Sequence, residues 1–253
     1  MSFFKTSFLT VLINCSLLSG LLYAEEDQVQ QYVLEAYPRW YSGDKASIQG
    51  NIGIDATNHD LSRVNYYIKP SGTYALGKNW AFHGGLGFYY KDYKEYDNEY
   101  ELRPFLGLSH FIQLNDKWST SAYFRAEERY QYISSDSRGE TLRLRLRLRT
   151  AYDINTIYQK HTWRSATIGL EGFKSFTDDE GIDIYDHETR LTFGLERNLD
   201  DKEKIRFELA FKYFGVPTEI SQSNVTTVYF KIQYYPSWGG FWGNTLSNRD
   251  IDE

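Results

Sequence analysis

Residues 141–150 read TLRLRLRLRT: Leu142, Leu144, Leu146 and Leu148 alternate without a slip against Arg143, Arg145, Arg147 and Arg149. A period of two is that of a β-strand, and it sets every leucine on one face and every arginine on the other. A helix would spread both sets around its axis. One face of this strand is apolar and the other carries four permanent positive charges. In a water-soluble sandwich the arginines would face solvent and the leucines a core, and this segment alone fits that arrangement too. The rest of the chain separates the two.

The same alternation recurs from Lys45 onward. Ile48, Ile52 and Ile54 oppose Gln49, Asn51 and Asp55; Val64, Tyr66 and Ile68 oppose Asn65, Tyr67 and Lys69; Phe82, Leu86 and Phe88 oppose His83, Gly85 and Gly87. Leu102, Leu106 and Leu108 then oppose Glu101, Arg103 and Ser109, and Phe124 and Ala126 oppose Arg125, Glu127 and Arg129. Beyond the ladder, strands centred on Ile168, Phe193, Leu209 and Phe230 repeat the pattern. Each is about long enough to cross a bilayer at a tilt. A leucine-rich face on every strand, with few charges on it, argues against a soluble sandwich. These features predict an all-β fold: a transmembrane antiparallel up-and-down β-barrel of ten strands over residues 45–236.

Composition agrees. The chain has 253 residues, 17% aromatic with 22 tyrosines, and a formal charge of −6. Its mean hydropathy is negative. Residues 1–24, with Lys5 before an apolar run and Tyr23-Ala24 before acidic residues, read as a secretory signal peptide. A lipoprotein signal at Cys15 is disfavoured because Leu12-Ile13-Asn14 lacks the small residue expected before a lipidated cysteine. Cleavage after Ala24 removes Lys5 alone among the charges, which leaves 27 bases, 34 acids and a net charge of −7. It also removes the one cysteine, so neither disulfides nor a Cys/His metal motif are expected, and no cofactor motif is visible.

Residues 25–44 hint at alternation through Tyr32, Leu34, Ala36 and Trp40, but Pro38 interrupts it, so this part reads as a periplasmic lead-in or partial strand. Residues 237–253 read as a C-terminal tail. Large, acidic loops fall at one end of the ten strands and most short turns at the other, as in bacterial outer-membrane barrels with both termini periplasmic. Twelve strands would need one more from the lead-in and another from the tail. Aromatics near strand ends, such as Tyr66, Trp80, Tyr90, Tyr130, Tyr132, Trp163 and Tyr234, have the placement of interfacial girdles.

In this register the inward bases are Lys69, Lys91, Lys212 and Lys231 with Arg103, Arg125, Arg129, Arg143, Arg145, Arg147, Arg149, Arg190 and Arg206. The inward acids are Asp55, Glu99, Glu101, Glu127, Glu171, Glu188, Glu196 and Glu208, so the lumen holds thirteen bases against eight acids. Two readings follow. A cross-strand network, with Glu99, Glu101, Glu127 and Glu171 as ion-pair partners, would fill a narrow barrel. Alternatively Arg103, Arg125, Arg129 and the ladder Arg143 to Arg149 line a track for small anionic solutes, since guanidinium forks suit carboxylates and phosphates.

The spacing of Glu101-Leu-Arg103, Arg125-Ala-Glu127-Glu-Arg129 and Arg143 to Arg149 resembles bacterial outer-membrane barrels grouped as domain-of-unknown-function family twenty-four-ninety. That resemblance implies a barrel fold and an outer-membrane location in Gram-negative-type bacteria, and leaves activity open. The arginine-rich inward strands are similar, more weakly, to those of oligogalacturonate-specific porins, which implies acidic sugars as solutes.

An enzymatic site is not evident. Ser109 and His110 are adjacent and so point to opposite faces. His83 stands by itself on an inward face, where packing would satisfy it. An omptin-like protease would need rim groups, for which His59, Asp60, Asp186 and His187 are the candidates; acidic loops more often stay solvated or bind divalent cations. Nucleic-acid binding is not expected, because the bases belong to the barrel pattern and the chain is acidic. The expectation is a monomer among outer-membrane lipid and lipopolysaccharide: a narrow anion-favouring channel, with a closed structural barrel and a rim hydrolase as alternatives.

Overall fold

A computed structural model describes residues 29–58, 63–94, 97–133, 138–154, 163–176, 187–199, 203–215 and 226–236. The expected signal peptide and C-terminal tail lie outside the described residues, as do His59, Asp60 and Asp186 and the side chain of His187. The strands are β1 (Val29–Ala36), β2 (Arg39–Ser42), β3 (Ala46–Gln49), β4 (Ile52–Asn58), β5 (Arg63–Ile68), β6 (Ser71–Ala75) and β7 (Trp80–Tyr93). Then follow β8 (Glu99–Gln113), β9 (Trp118–Tyr132), β10 (Arg138–Asp153), β11 (Trp163–Phe176), β12 (His187–Asn198), β13 (Lys204–Gly215) and β14 (Thr226–Tyr235).

All of them belong to one sheet, which closes on itself through the pairing of β7 with β8. Three staves of the barrel are each broken once: β1 and β2 at Tyr37-Pro38, β3 and β4 at Gly50-Asn51, β5 and β6 at Lys69-Pro70. Proline has no N–H to give to a ladder, which accounts for two of the breaks. Backbone bonds cross the interruptions: Gly50 N donates to Pro38 O at 2.8 Å, Asn51 and Lys69 exchange bonds at 2.7 and 3.0 Å, and Leu86 N donates to Pro70 O at 3.0 Å. The breaks therefore sit side by side on neighbouring staves. Glycine is required here: a Cβ on Gly85 would lie 2.6 Å from the Pro70 carbonyl oxygen and 2.5 Å from the Phe105 ring.

Counted as staves, the fourteen segments make eleven strands, against the ten expected and the alternative of twelve. The difference lies in residues 29–42. Tyr32 and Leu34 point outward while Gln31, Val33 and Glu35 are buried inside, so this stretch forms a whole stave in spite of Pro38. An odd number of alternating strands sends the first and last in the same direction, and closure must then be parallel. β1 pairs with β14 in that way, from Val29 with Thr227 to Ala36 with Tyr234. Val29 and Tyr235 consequently lie at opposite ends of the barrel, not at the same end.

The two faces follow the alternation. On β10, Leu142, Leu146 and Leu148 are 46, 52 and 47% exposed on the outside. The outer surface between the strand ends carries Leu34, Ile52, Ile68, Leu106, Phe124, Leu170 and Phe193, all exposed. Aromatic rows flank this belt. Tyr66, Tyr90 and Tyr100 stack across β5, β7 and β8 near the longer loops, with ring centroids 6.3 and 5.1 Å apart. Trp80 on His110 at 4.2 Å and Trp118 on Tyr152 at 4.7 Å mark the end with the shorter turns. A continuous apolar belt of this extent marks a surface that meets lipid or a partner rather than water.

Candidate functional site

The inward face is built from charge. Lys91 on β7 bonds Glu99 and Glu101 of β8 at 2.5 and 2.9 Å. Glu101 also accepts from Arg129 of β9 at 2.6 Å and from Arg103 two residues on. Glu127 is 1% exposed and takes Arg125 from its own strand and Arg143 from β10. Arg145 then donates to Glu171 of β11 at 2.5 Å, and Glu171 meets Arg190 of β12 at 3.1 Å, which also grips Glu188. The pairs form a lattice of three adjoining clusters along the inner wall from β7 to β12. Aromatic rings fill between them: the Arg103 guanidinium lies 4.0 Å over Tyr89, and those of Arg143, Arg145 and Arg190 lie 4.9 to 5.3 Å from Phe173. Each such contact adds to the ion pairs where water is excluded.

A second node sits at the parallel seam. Glu35, 7% exposed, accepts from the hydroxyls of Tyr37 and Tyr67 at 2.7 Å each, from Asn51 at 3.2 Å and from Gln233 at 3.0 Å, and pairs with Lys231 at 2.7 Å and Lys69 at 3.7 Å. Tyr67 reaches it by lying across Gly53, where a Cβ would come within 2.3 Å of the ring. Glu35 was not among the residues singled out from the sequence. The signal was present in Gln31, Val33 and Glu35 opposing Tyr32, Leu34 and Ala36, but Pro38 masked the strand that gives it meaning.

The sequence-derived candidates thus divide. Arg103, Arg125, Arg129, Arg143 and Arg145 lie in the lattice with Glu99, Glu101, Glu127 and Glu171. Arg147 and Arg149 line a cavity of about 330 Å³ that reaches the short-turn end between Lys78, Asn79, Asp116 and Lys117. Arg147 lies 5.1 Å over the Tyr123 ring. Among the pairs here, Arg149 and Arg206 both face Glu208 at 3.8 and 3.4 Å, and Arg164 faces Glu196 at 3.6 Å. Ser109 also lines this cavity, its Oγ 2.8 Å from His83 Nε2, while His83 Nδ1 is 3.1 Å from Thr73 Oγ1. His83, fully buried, is therefore held by hydroxyls on two neighbouring strands, a cross-strand contact that adjacency in sequence does not reveal. Among the described residues no group of His, Cys, Asp and Glu is arranged to hold a metal ion.

The model of a family described as "Protein of unknown function (DUF2490)" matches residues 30–222. The chain belongs to the DUF2490 family. Its match begins within the first stave, in keeping with residues 29–42 being part of the barrel. A search of curated protein sequences finds no match to this DUF2490 chain. Among solved structures, the open form of the ferric-catecholate import receptor Fiu from E. coli K12 is similar at 9% identity with a TM-score of 0.26, covering 78% of this chain and 47% of the receptor. The DUF2490 chain spans about half the length of that receptor, and a score at that level adds nothing to the fold read from its own strand pairing. Nothing in the comparisons supports the likeness to oligogalacturonate-specific porins.

Proposed function

We propose that this DUF2490 member is a bacterial outer-membrane barrel whose lumen is sealed at rest by its ion-pair lattice. The observation that carries the reading is the burial of Glu101 and Glu127, whose side chains are 0 and 1% exposed beneath Lys91, Arg103, Arg129, Arg125 and Arg143. A charge held in this way does not leave by itself: breaking a buried pair costs on the order of 3–5 kcal/mol. Ions crossing the barrel would have to break several pairs at once. The apolar belt and its two aromatic rows support lipid on the outside, and the protein then acts as a monomer among phospholipid and lipopolysaccharide.

A narrow anion-favouring channel is the second reading, favoured by Arg147 and Arg149 of the ladder, which line the cavity. Liposome swelling separates the two. Proteoliposomes with the refolded barrel, diluted into iso-osmotic sodium succinate or arabinose, are expected to behave as empty liposomes. Swelling in succinate that outpaces arabinose would favour the channel.

A further inference from the structure

We infer that the cavity at the short-turn end is a binding site for one neutral pyranose ring, a free monosaccharide or the terminal unit of a glycan, seated on Phe111 and held by hydroxyls of β8 and β9. Only the side it faces, the periplasm, rests on the outer-membrane reading above; the site itself does not.

A bare aromatic ring is the first argument. Alternation along β8 sets Phe111 on the same inward face as Ser109, and both line the cavity. Phe111 is nevertheless 38% exposed. Among the described residues its ring meets no other ring and no cation, whereas the lumen rings Tyr89, Tyr123 and Phe173 are each covered by a guanidinium. A large apolar side chain left uncovered among polar groups, on the lumen side and not on the lipid belt, calls for an apolar partner. The C–H face of a pyranose is such a partner, and the hydroxyls around its rim then meet polar side chains.

The second argument is which polar groups serve a ligand. Arg147, Arg149, Arg164 and Arg206 of this wall are engaged by the protein itself, Arg206 for instance by Thr167 at 2.9 Å and Glu208 at 3.4 Å. The hydroxyls are left. Ser121 stands beside Phe111 in direct register, and Ser119 follows on the same face. Neither has a side-chain hydrogen bond to another described residue. Ser109 Oγ is 2.8 Å from His83 Nε2, so it keeps lone pairs for a ligand with one imidazole tautomer and a proton as well with the other. On the cavity wall the Tyr123 hydroxyl is buried with no hydrogen-bond partner, a state that a ligand hydroxyl would relieve. A sugar hydroxyl both donates and accepts and so suits all of these groups, whereas a carboxylate only accepts. Size sets the last limit: about 330 Å³ is at the lower end of small-molecule pockets and suits one ring, not a chain of them.

The test is saturation-transfer NMR on the folded full chain in an amine-oxide detergent, which itself carries no sugar. Glucose, galactose and methyl glucoside are the probes, and sorbitol, with hydroxyls but no ring face, is the control. Saturable binding of a pyranose at about 1–10 mM, with sorbitol at least about tenfold weaker, supports the site. Methyl glucoside binding as well as glucose assigns the terminal unit of a glycan, and its loss assigns the free sugar. Phe111→Ala is expected to weaken binding about tenfold, Phe111→Trp to retain it, and Ser121→Ala to weaken it about threefold. Ser121→Ala carries the test if Phe111→Ala does not fold. Raising salt from about 20 to about 500 mM is expected to leave the affinity within about twofold, as for a neutral ligand. The proposal is overturned if no pyranose saturates below about 50 mM, if sorbitol binds as well as glucose, or if glucuronate binds more than about tenfold tighter than glucose. Binding reads the cavity and swelling reads passage, so the site can fail while the sealed barrel stands, and the reverse.

Discussion

Replacing Glu127 by Gln removes one negative charge and almost no volume from the centre of the lattice. Glu127 is 1% exposed and holds Arg125 and Arg143 together, so the substitution leaves two guanidiniums facing a neutral amide in a place water does not reach. Removing one partner of a buried ion pair costs about 3–5 kcal/mol, since the remaining charge keeps its desolvation penalty. At about 1.4 kcal/mol per factor of ten, the unfolding equilibrium constant rises by roughly two to four orders of magnitude. The assay is a urea titration of the barrel refolded into lipid vesicles, read by tryptophan fluorescence and by the heat-dependent gel mobility of folded barrels. Glu128→Gln, one residue on and on the outward face, is the control and is expected to stay within about 0.5 kcal/mol of the parent. If Glu127→Gln also stays within that margin, the lattice is not what holds the lumen closed, and the energetic argument fails.

The parallel seam predicts that Leu34→Cys with Ile232→Cys cross-links on mild oxidation, because these residues are direct register partners on adjacent strands. Absence of that cross-link, with cross-linking of Leu34→Cys to Val228→Cys instead, would contradict the register. On the lipid face, Leu146→Arg at the middle of β10 is expected to cost about 2–4 kcal/mol in vesicles, more than Leu142→Arg nearer the strand end. Equal costs at the two depths would count against a membrane-spanning β10.

Much of the fold is legible because a barrel writes itself locally: every stave from Lys45 onward announces its two faces by alternation. The strand count was not, because closure is a property of the whole chain. Pro38 interrupts the first stave in sequence, but in the barrel the Tyr37 N–H just before it donates to Tyr234 O and the Gly50 N–H donates to Pro38 O, each at 2.8 Å, so the ladder continues past a break that looks final on paper. Parity reasoning also assumed termini at one end, which holds for even-numbered barrels and not for one closed in parallel.

For the site, alternation tells which residues share the lumen but not which ones touch. Arg143 faces Glu127 in direct register, whereas Arg145 reaches diagonally to Glu171, whose register partner is Arg147. Diagonal reach depends on stagger and rotamer, and neither is written in a single strand. The same limit hid His83 and Ser109: they lie 26 residues apart, on different strands, and only the β7–β8 register brings them together.

Sealing of the lumen is tested most directly by single-channel recording of the refolded chain in planar bilayers, in symmetric salt and then under a salt gradient. The account predicts no steady current from the folded parent. It also predicts that Glu101→Gln with Glu127→Gln, which frees the lattice cations, produces openings whose reversal potential favours anions. A stable, anion-selective current from the parent itself would contradict the account.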